Sequence, residues 1–482
     1  MLPITRREFI SKGAGALIGG TLLGGIGKAV LAEAKPRKPN IVYVFADQMC
    51  NCSLGCMGNP DVKTPNMDKL AGQGTLFTDV VTNFPLCSPH RAILLTGRFP
   101  LANGVVTNDV KLTDTEITIA KVLKEQGYKT GYVGKWHLGM ETGRDKSKPF
   151  YGFDYFIGRS EASKGDVDFL PDTQTDLAID FVKKHKDEPF CLFMSWVPPH
   201  PPYIPPKRYA NKYDPKKLTL RPNVQNVEDK DFRHDISISY SMITGLDDNI
   251  GKLMKALDNL GIADDTIFCF SSDHGDMLGS QGRMNKNLPW EESANIPFIM
   301  RYPRKVKAGR KSDMLLSTVD VMPTLLSLCG APIPKGVEGM DLSGQILGRG
   351  GKEPESQYIL DVIPGPTGIN TGVNTWRAVR TKQYTYAVTP DKGWLLYDRK
   401  KDPYEMDNLI GKPEAKDVQA KMDAMLQEWL TKTGDKFESM DVWWKRIGRK
   451  GDPIEAGKAS KEMKTLKKNK RTPNKAQGGT NE

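Results

Sequence analysis

Short apolar runs alternate with amphipathic stretches along most of this chain. PNIVYVFAD (39–47) is an unbroken β-branched and aromatic run closing on an aspartate, the pattern of a parallel strand buried on both faces. NMDKLAGQG (66–74) and RAILLTG (91–97) predict helical segments stopped by glycine. TIAKVLKEQG (118–127) predicts an amphipathic helix leading into the strand KTGYVGK. The helix TDLAIDFVKKHK (175–186) precedes the strand FCLFMSWV (190–197). The helix SISYSMITGLDDNIGKLMKALDNLG (237–261) precedes the strand TIFCFSSD (266–273), and TVDVMPTLLSLCG (318–330) predicts one more helix. Such alternation predicts an α/β fold, a doubly wound and mostly parallel sheet with helices on both faces. Near residue 350 the texture changes. TWRAVRTKQYTYAVT and GWLLYDRKKDP read as antiparallel strands, and PEAKDVQAKMDAMLQEWLTKTG (413–434) as an amphipathic helix. Together they predict a smaller C-terminal α+β domain with an antiparallel sheet. No internal repeat is visible.

These signals divide the 482 residues into four parts: a leader (1–34), a main domain (35–350), a C-terminal subdomain (351–445) and a basic, disordered tail (446–482). The leader places Arg6-Arg7 before a Gly-rich apolar run and ends Ala32-Glu33-Ala34, the form of a twin-arginine signal peptide with a cleavage site. No other stretch of about 18 apolar residues follows, so no stable membrane insertion is expected of the mature chain. The net charge of +11 invites a nucleic-acid reading. Its location argues against one. Residues 445–482 carry twelve basic and four acidic groups and the leader four basic and two acidic, which leaves the body near +1. A nucleic-acid footprint belongs on the folded domain. Seven cysteines, an odd number in a long chain, are not a disulfide framework. Most are expected to be small packing residues, with room for one bridge.

Two predicted strands end in groups that bind metals. Asp47-Gln48 follows the first, and Asp273-His274 ends the SSDHGD run. Carboxylate, amide oxygen and imidazole at the carboxyl ends of strands suit a divalent cation, Ca2+ first, with Mg2+ or Mn2+ as alternatives. The third element is PLCSPHRAILLTGRFP (85–100). Ser88-Pro89 start a helix, so Cys87 sits at its positive end, where a thiolate is favoured. Arg91, one turn on, shares that face.

CSPHRAILLTGRFP resembles the signature of the type I sulfatases, formylglycine-dependent enzymes of the alkaline-phosphatase superfamily. Cys87, Pro89, Arg91, Leu95, Thr96 and Gly97 match it position by position. IVYVFADQ, GYVGKWHLG, SDHGDMLGSQGRMNK, STVDVMPTLLSLCGAPIP and GWLLYDRKKDPYEMDNL are similar to further segments of that family, so the resemblance runs over roughly 39–412. It implies that a formylglycine-generating maturation enzyme oxidises Cys87 to an aldehyde. The hydrate of that aldehyde attacks sulfur, and its second hydroxyl expels sulfate, where a thiol would stall. Asp47, Gln48, Asp273, His274 and modified Cys87 would hold the cation. Arg91 and Lys135 would stabilise the hydrate, and His137 would take the proton that triggers release. His200 would act as general acid on the leaving oxygen, and Lys286 would bind sulfate. His90, His185 and His234 carry no such role.

The implied function is hydrolysis of sulfate esters, by family habit on a carbohydrate, in a periplasmic or secreted protein delivered by the Tat export machinery. Many members carry Asp-Asp at the first strand tip and Asp-Asn at the second. The Asp47-Gln48 and Asp273-His274 pairing also occurs in related phosphonate monoester and phosphodiester hydrolases, which keeps that alternative activity open. A binding protein with unmodified Cys87 is disfavoured, because every catalytic position is filled.

Overall fold

The computed structural model describes residues 37–140, 144–163, 167–225, 230–365 and 375–451. The leader and most of the basic tail lie outside these residues. Ten strands precede residue 318: β1 (Asn40–Asp47), β2 (Thr75–Phe77), β3 (Val80–Val81), β4 (Lys129–Gly134), β5 (Tyr155–Gly158), β6 (Phe190–Pro199), β7 (Thr266–Ser272), β8 (Phe298–Arg301), β9 (Arg310–Ser312) and β10 (Leu316–Ser317). Eight form one sheet in the order β5-β4-β6-β1-β7-β8-β2-β9, while β3 and β10 pair separately. The run from β5 to β7 is parallel throughout. Only β8 runs against its neighbours.

All eight residues of β1 are buried. Ile41, Tyr43 and Phe45 enter one apolar cluster and Val42, Val44 and Ala46 another, as the two-residue side-chain period requires of a sheet covered on both faces. Strand β7 divides in the same way, Ile267 and Cys269 against Phe268 and Phe270. On the second face lie α1 (Pro65–Gln73) and the helices Leu170–His185 and Lys230–Asn259. On the first lie α2 (Cys87–Thr96) and the helices Ile119–Glu125 and Thr318–Leu328. All ten residues of α2 are buried, because Ile93 turns away from the sheet into a third cluster shared with the C-terminal part. Gly97, in the left-handed region (φ 62), ends the helix by donating its N–H to Ile93 O at 2.8 Å.

Beyond residue 350, β11 (Gln357–Asp361), β12 (Trp376–Arg380), β13 (Tyr384–Val388) and β14 (Gly393–Asp398) form an antiparallel sheet in sequence order. Met422 and Leu426 of the helix Lys416–Thr433 cover it. Fully buried Arg380 pairs with Asp79 and Glu291, both at 2.8 Å, and Arg399 reaches the same two carboxylates. Cys50 and Cys52 form a disulfide. Cys191, Cys269 and Cys329 are free and buried, as expected of packing residues.

Candidate active site

Strands β4, β6, β1 and β7 are adjacent and parallel, so their carboxyl ends open on one edge of the sheet. Each end delivers chemistry. Asp47 is the last residue of β1 and Gln48 follows it. Lys135 follows β4, His200 follows β6, and Asp273-His274 follows β7. Cys87 is the first residue of α2, one residue earlier than the predicted helix start. Two glycines permit these approaches. A Cβ at Gly134, where φ is 117, would lie 2.0 Å from Ser195 O. One at Gly275 would lie 1.8 Å from Glu292 O. Gln48 and His137 themselves hold left-handed backbone (φ 67 and 59), strain of the kind concentrated at functional sites.

The ligating atoms of Asp47, Cys87, Asp273 and His274 all lie within 4.8 Å of one another, and all four residues are buried. Cys87 Sγ stands 3.2 Å from His274 Nε2 and 3.6 Å from Asp47 Oδ1. Arg91 donates to Asp47 Oδ2 at 3.0 Å and to Asp273 Oδ2 at 2.9 Å, and Lys135 Nζ donates to the same Asp47 oxygen. The other guanidinium nitrogen donates to Lys135 O and Ser195 Oγ. Lys286 Nζ donates to Gln48 Oε1 at 2.7 Å and to Cys87 Sγ at 3.3 Å.

Burial pushes the Asp47 carboxyl up, but Lys135, His200, Lys286 and Arg91 together hold it well below the usual carboxylate range. For Asp273, burial and the Asp47 charge prevail, so its pKa is raised. Burial and Asp47 also push the Cys87 thiol up, and Lys135, Lys286 and His274 overcome them, holding it well below an ordinary thiol. Two buried carboxylates, an amide oxygen and an imidazole beside residue 87 fit a divalent cation by charge and by donor type.

The two remaining histidines stand at the margin. Ser88 Oγ donates to His137 O at 2.6 Å, and the His137 ring faces Asp109 Oδ1 at 3.4 Å. Burial lowers the His137 pKa, but hydrogen bonds to Asp109 and Cys87 outweigh it and the net shift is upward. His200 lies between two cis X-Pro bonds, Pro198-Pro199 and Pro201-Pro202, with Nδ1 2.5 Å from Pro201 O. Burial drives its pKa down to about 4 against the pull of Asp47. His90, given no role, is buried with Nδ1 2.9 Å from Thr82 Oγ1. The contacts add residues that pattern reading missed: Asp109, Ser195, Tyr203, Asp276 and Asn285. Asp276 stands inside the SSDHGD run, yet an aspartate after glycine carries only a turn signal.

Comparison with known proteins gives the family of the chain. The sulfatase family model matches residues 39–331, and the model for the C-terminal part of N-sulphoglucosamine sulphohydrolase matches 279–432. An ulvan-active sulfatase of Formosa agariphila is 36% identical over 446 residues, covering 87% of this chain and 86% of its own. An N-acetylglucosamine-6-O-sulfatase of Bacteroides thetaiotaomicron is 26% identical, with coverage of 82% and 87%. The crystal structure of a putative sulfatase from Bacteroides fragilis superposes with a TM-score of 0.73 at 30% identity, covering 85% of this chain and 98% of that one.

Proposed function

The chain belongs to the sulfatase family and hydrolyses sulfate esters, and on that premise we propose that it releases inorganic sulfate from a sulfated carbohydrate outside the cytoplasm. The observation that carries the proposal is Cys87 at the amino end of α2, in contact with Asp47, His274 and Lys286 at the open edge of the sheet. The ulvan-active and N-acetylglucosamine-6-O relatives support the carbohydrate. Both matching family models belong to sulfate-releasing enzymes, which favours a sulfate ester over a phosphonate or phosphodiester.

Asp47, Gln48, Asp273 and His274, with the oxygen derived from Cys87, would hold Ca2+. Formylglycine at position 87 and the bound cation would supply an oxygen nucleophile and screen the sulfate charge. The chain's own side chains do the rest. Lys286 grips the sulfate beside residue 87, and Lys135 holds Asp47 ionised. Arg91 clamps both aspartates in one geometry and adds positive charge beneath the reacting group. His137, held by Asp109, accepts a proton beside residue 87. His200 protonates the leaving oxygen. Burial lowers its proton affinity, and a sulfate monoanion beside it raises that affinity.

Cys87 is only 1% exposed, so its oxidation must precede closure of the fold. Twin-arginine substrates cross the membrane folded. The maturation enzyme therefore acts in the cytoplasm, and the finished protein is periplasmic or secreted. Among the described residues no helix is long and apolar enough to cross a membrane. The mass of the peptide containing residue 87, taken from active enzyme made in its native host, tests the nucleophile: sulfur should be lost. Intact thiol in fully active protein would refute it. Rates on a sulfated saccharide, an aryl sulfate and an aryl phosphodiester test the substrate, and the first should be fastest.

A further inference from the structure

The carboxylate of Asp276 stands where three parts of the site converge, and no catalytic step uses it. Asp276 is 3% exposed. Its Oδ1 accepts the backbone N–H groups of Asn285 at 2.8 Å and Leu278 at 3.2 Å. Its Oδ2 accepts from Gln48 Nε2 at 2.6 Å and from the Tyr203 hydroxyl at 3.2 Å. Tyr203 belongs to the loop that carries His200, and Asn285 precedes Lys286.

A glutamine amide has two ends of nearly equal size, so a half-turn exchanges its oxygen and nitrogen at little steric cost. Only one orientation of Gln48 can serve a cation. Here Nε2 is committed to two acceptors, Asp276 Oδ2 and Asn285 Oδ1 (3.3 Å). Oε1 is left on the Cys87 side, where Lys286 Nζ bridges it to Sγ. We propose that Asp276 is a positioning residue that locks the Gln48 amide with its oxygen toward the cation. This rests on the reading of Gln48 as a cation ligand.

The substitution Asp276→Asn puts the lock to the test. The two backbone N–H groups claim the oxygen of the new amide, so its NH2 must face Gln48 Nε2, donor against donor. Gln48 then turns over and presents NH2 to the cation. Gln48→Glu leaves no amide to turn. Its carboxylate is repelled by Asp276 but would accept a hydrogen bond from the amide that Asp276→Asn introduces. Calcium titrated calorimetrically into chelator-stripped full-length protein reads the outcome. Asp276→Asn alone should weaken calcium binding by about 10–100-fold, the usual effect of losing a partner that orients a metal ligand. In a Gln48→Glu background the same change should leave binding equal or tighter. Equal weakening in both backgrounds overturns the positioning role and leaves the ligand reading standing. Unchanged calcium affinity in Gln48→Glu alone overturns the ligand reading, and this inference with it. If Asp276→Asn does not fold, the double variant should still fold and bind calcium. Failure of both to fold overturns the inference.

Discussion

Lys286 and Lys135 approach residue 87 with different partners, and the partners separate their effects. Lys286 Nζ touches Cys87 Sγ and an amide oxygen, so its charge is free to meet an anion. Lys135 Nζ is spent on Asp47. Lys286→Ala should therefore raise KM for a sulfate ester and lower kcat/KM by about 10²–10³-fold, the scale of losing one electrostatic stabiliser. Lys135→Ala should lower kcat with KM little changed. Steady-state kinetics on one substrate checks both, and identical profiles for the two variants would contradict the division. Asp47 also loses an opposing charge in Lys135→Ala, so its carboxyl should titrate closer to the ordinary range.

The strand ends make the site, and they do so only where the chain can turn without a side chain. Gly275 separates His274 from Asp276, and a Cβ there would overlap Glu292 O at 1.8 Å. Gly275→Ala must shift backbone on one side or the other, which displaces His274 from Cys87. Expected are a lower thermal midpoint and a loss of calcium affinity larger than that of His274→Ala, measured by calorimetry; wild-type binding in Gly275→Ala would show that the turn yields freely. The strand end in SDHGD was legible, but the neighbour of its glycine across the gap, Glu292, was not. The same division runs through the fold. Strands β1, β6 and β7 were legible because burial on both faces writes them as continuous apolar runs. Strands β2, β5, β8 and β9 are three or four residues long, too short for any periodicity to register. Residues 91–97 were legible as an apolar helix, and the matched motif marked Cys87 and Arg91. The wider resemblance also lent roles to Lys135, His137, His200 and Lys286. The partners Asp109, Asn285 and Asp276 emerge only from distances, since hydrogen bonds between elements leave no spacing in one sequence.

At the scale of the whole molecule, the antiparallel sheet is bound to the catalytic part by buried charge as well as by apolar contact. Arg380 satisfies Asp79 and Glu291 together, so Arg380→Ala leaves one buried and one partly buried carboxylate with only Arg399 between them. A loss of about 3–5 kcal/mol in urea unfolding is expected, the cost of breaking a buried pair from one side. The same junction holds a titratable group with the opposite tendency. Asp361 closes β11 and accepts from Asn287 Nδ2 at 2.9 Å, one residue past Lys286. Burial raises its pKa from 3.8 to about 8, against the pull of Asn287 and Arg377. The folded state thus keeps a proton that the unfolded chain gives up near 3.8. Wherever the native state binds more protons, stability falls as pH rises. The contribution of Asp361 is therefore complete below the unfolded value, declines through the interval between 3.8 and about 8, and is gone above it. Asp361→Asn, which carries no proton to release, should remove that slope. The difference in urea midpoint between the two proteins, followed from about pH 4 to about pH 9 so as to span that interval, should turn steadily in favour of the variant and then level off. A constant difference would mean that Asp361 is ionised in the fold, with Arg377 rather than burial deciding its charge.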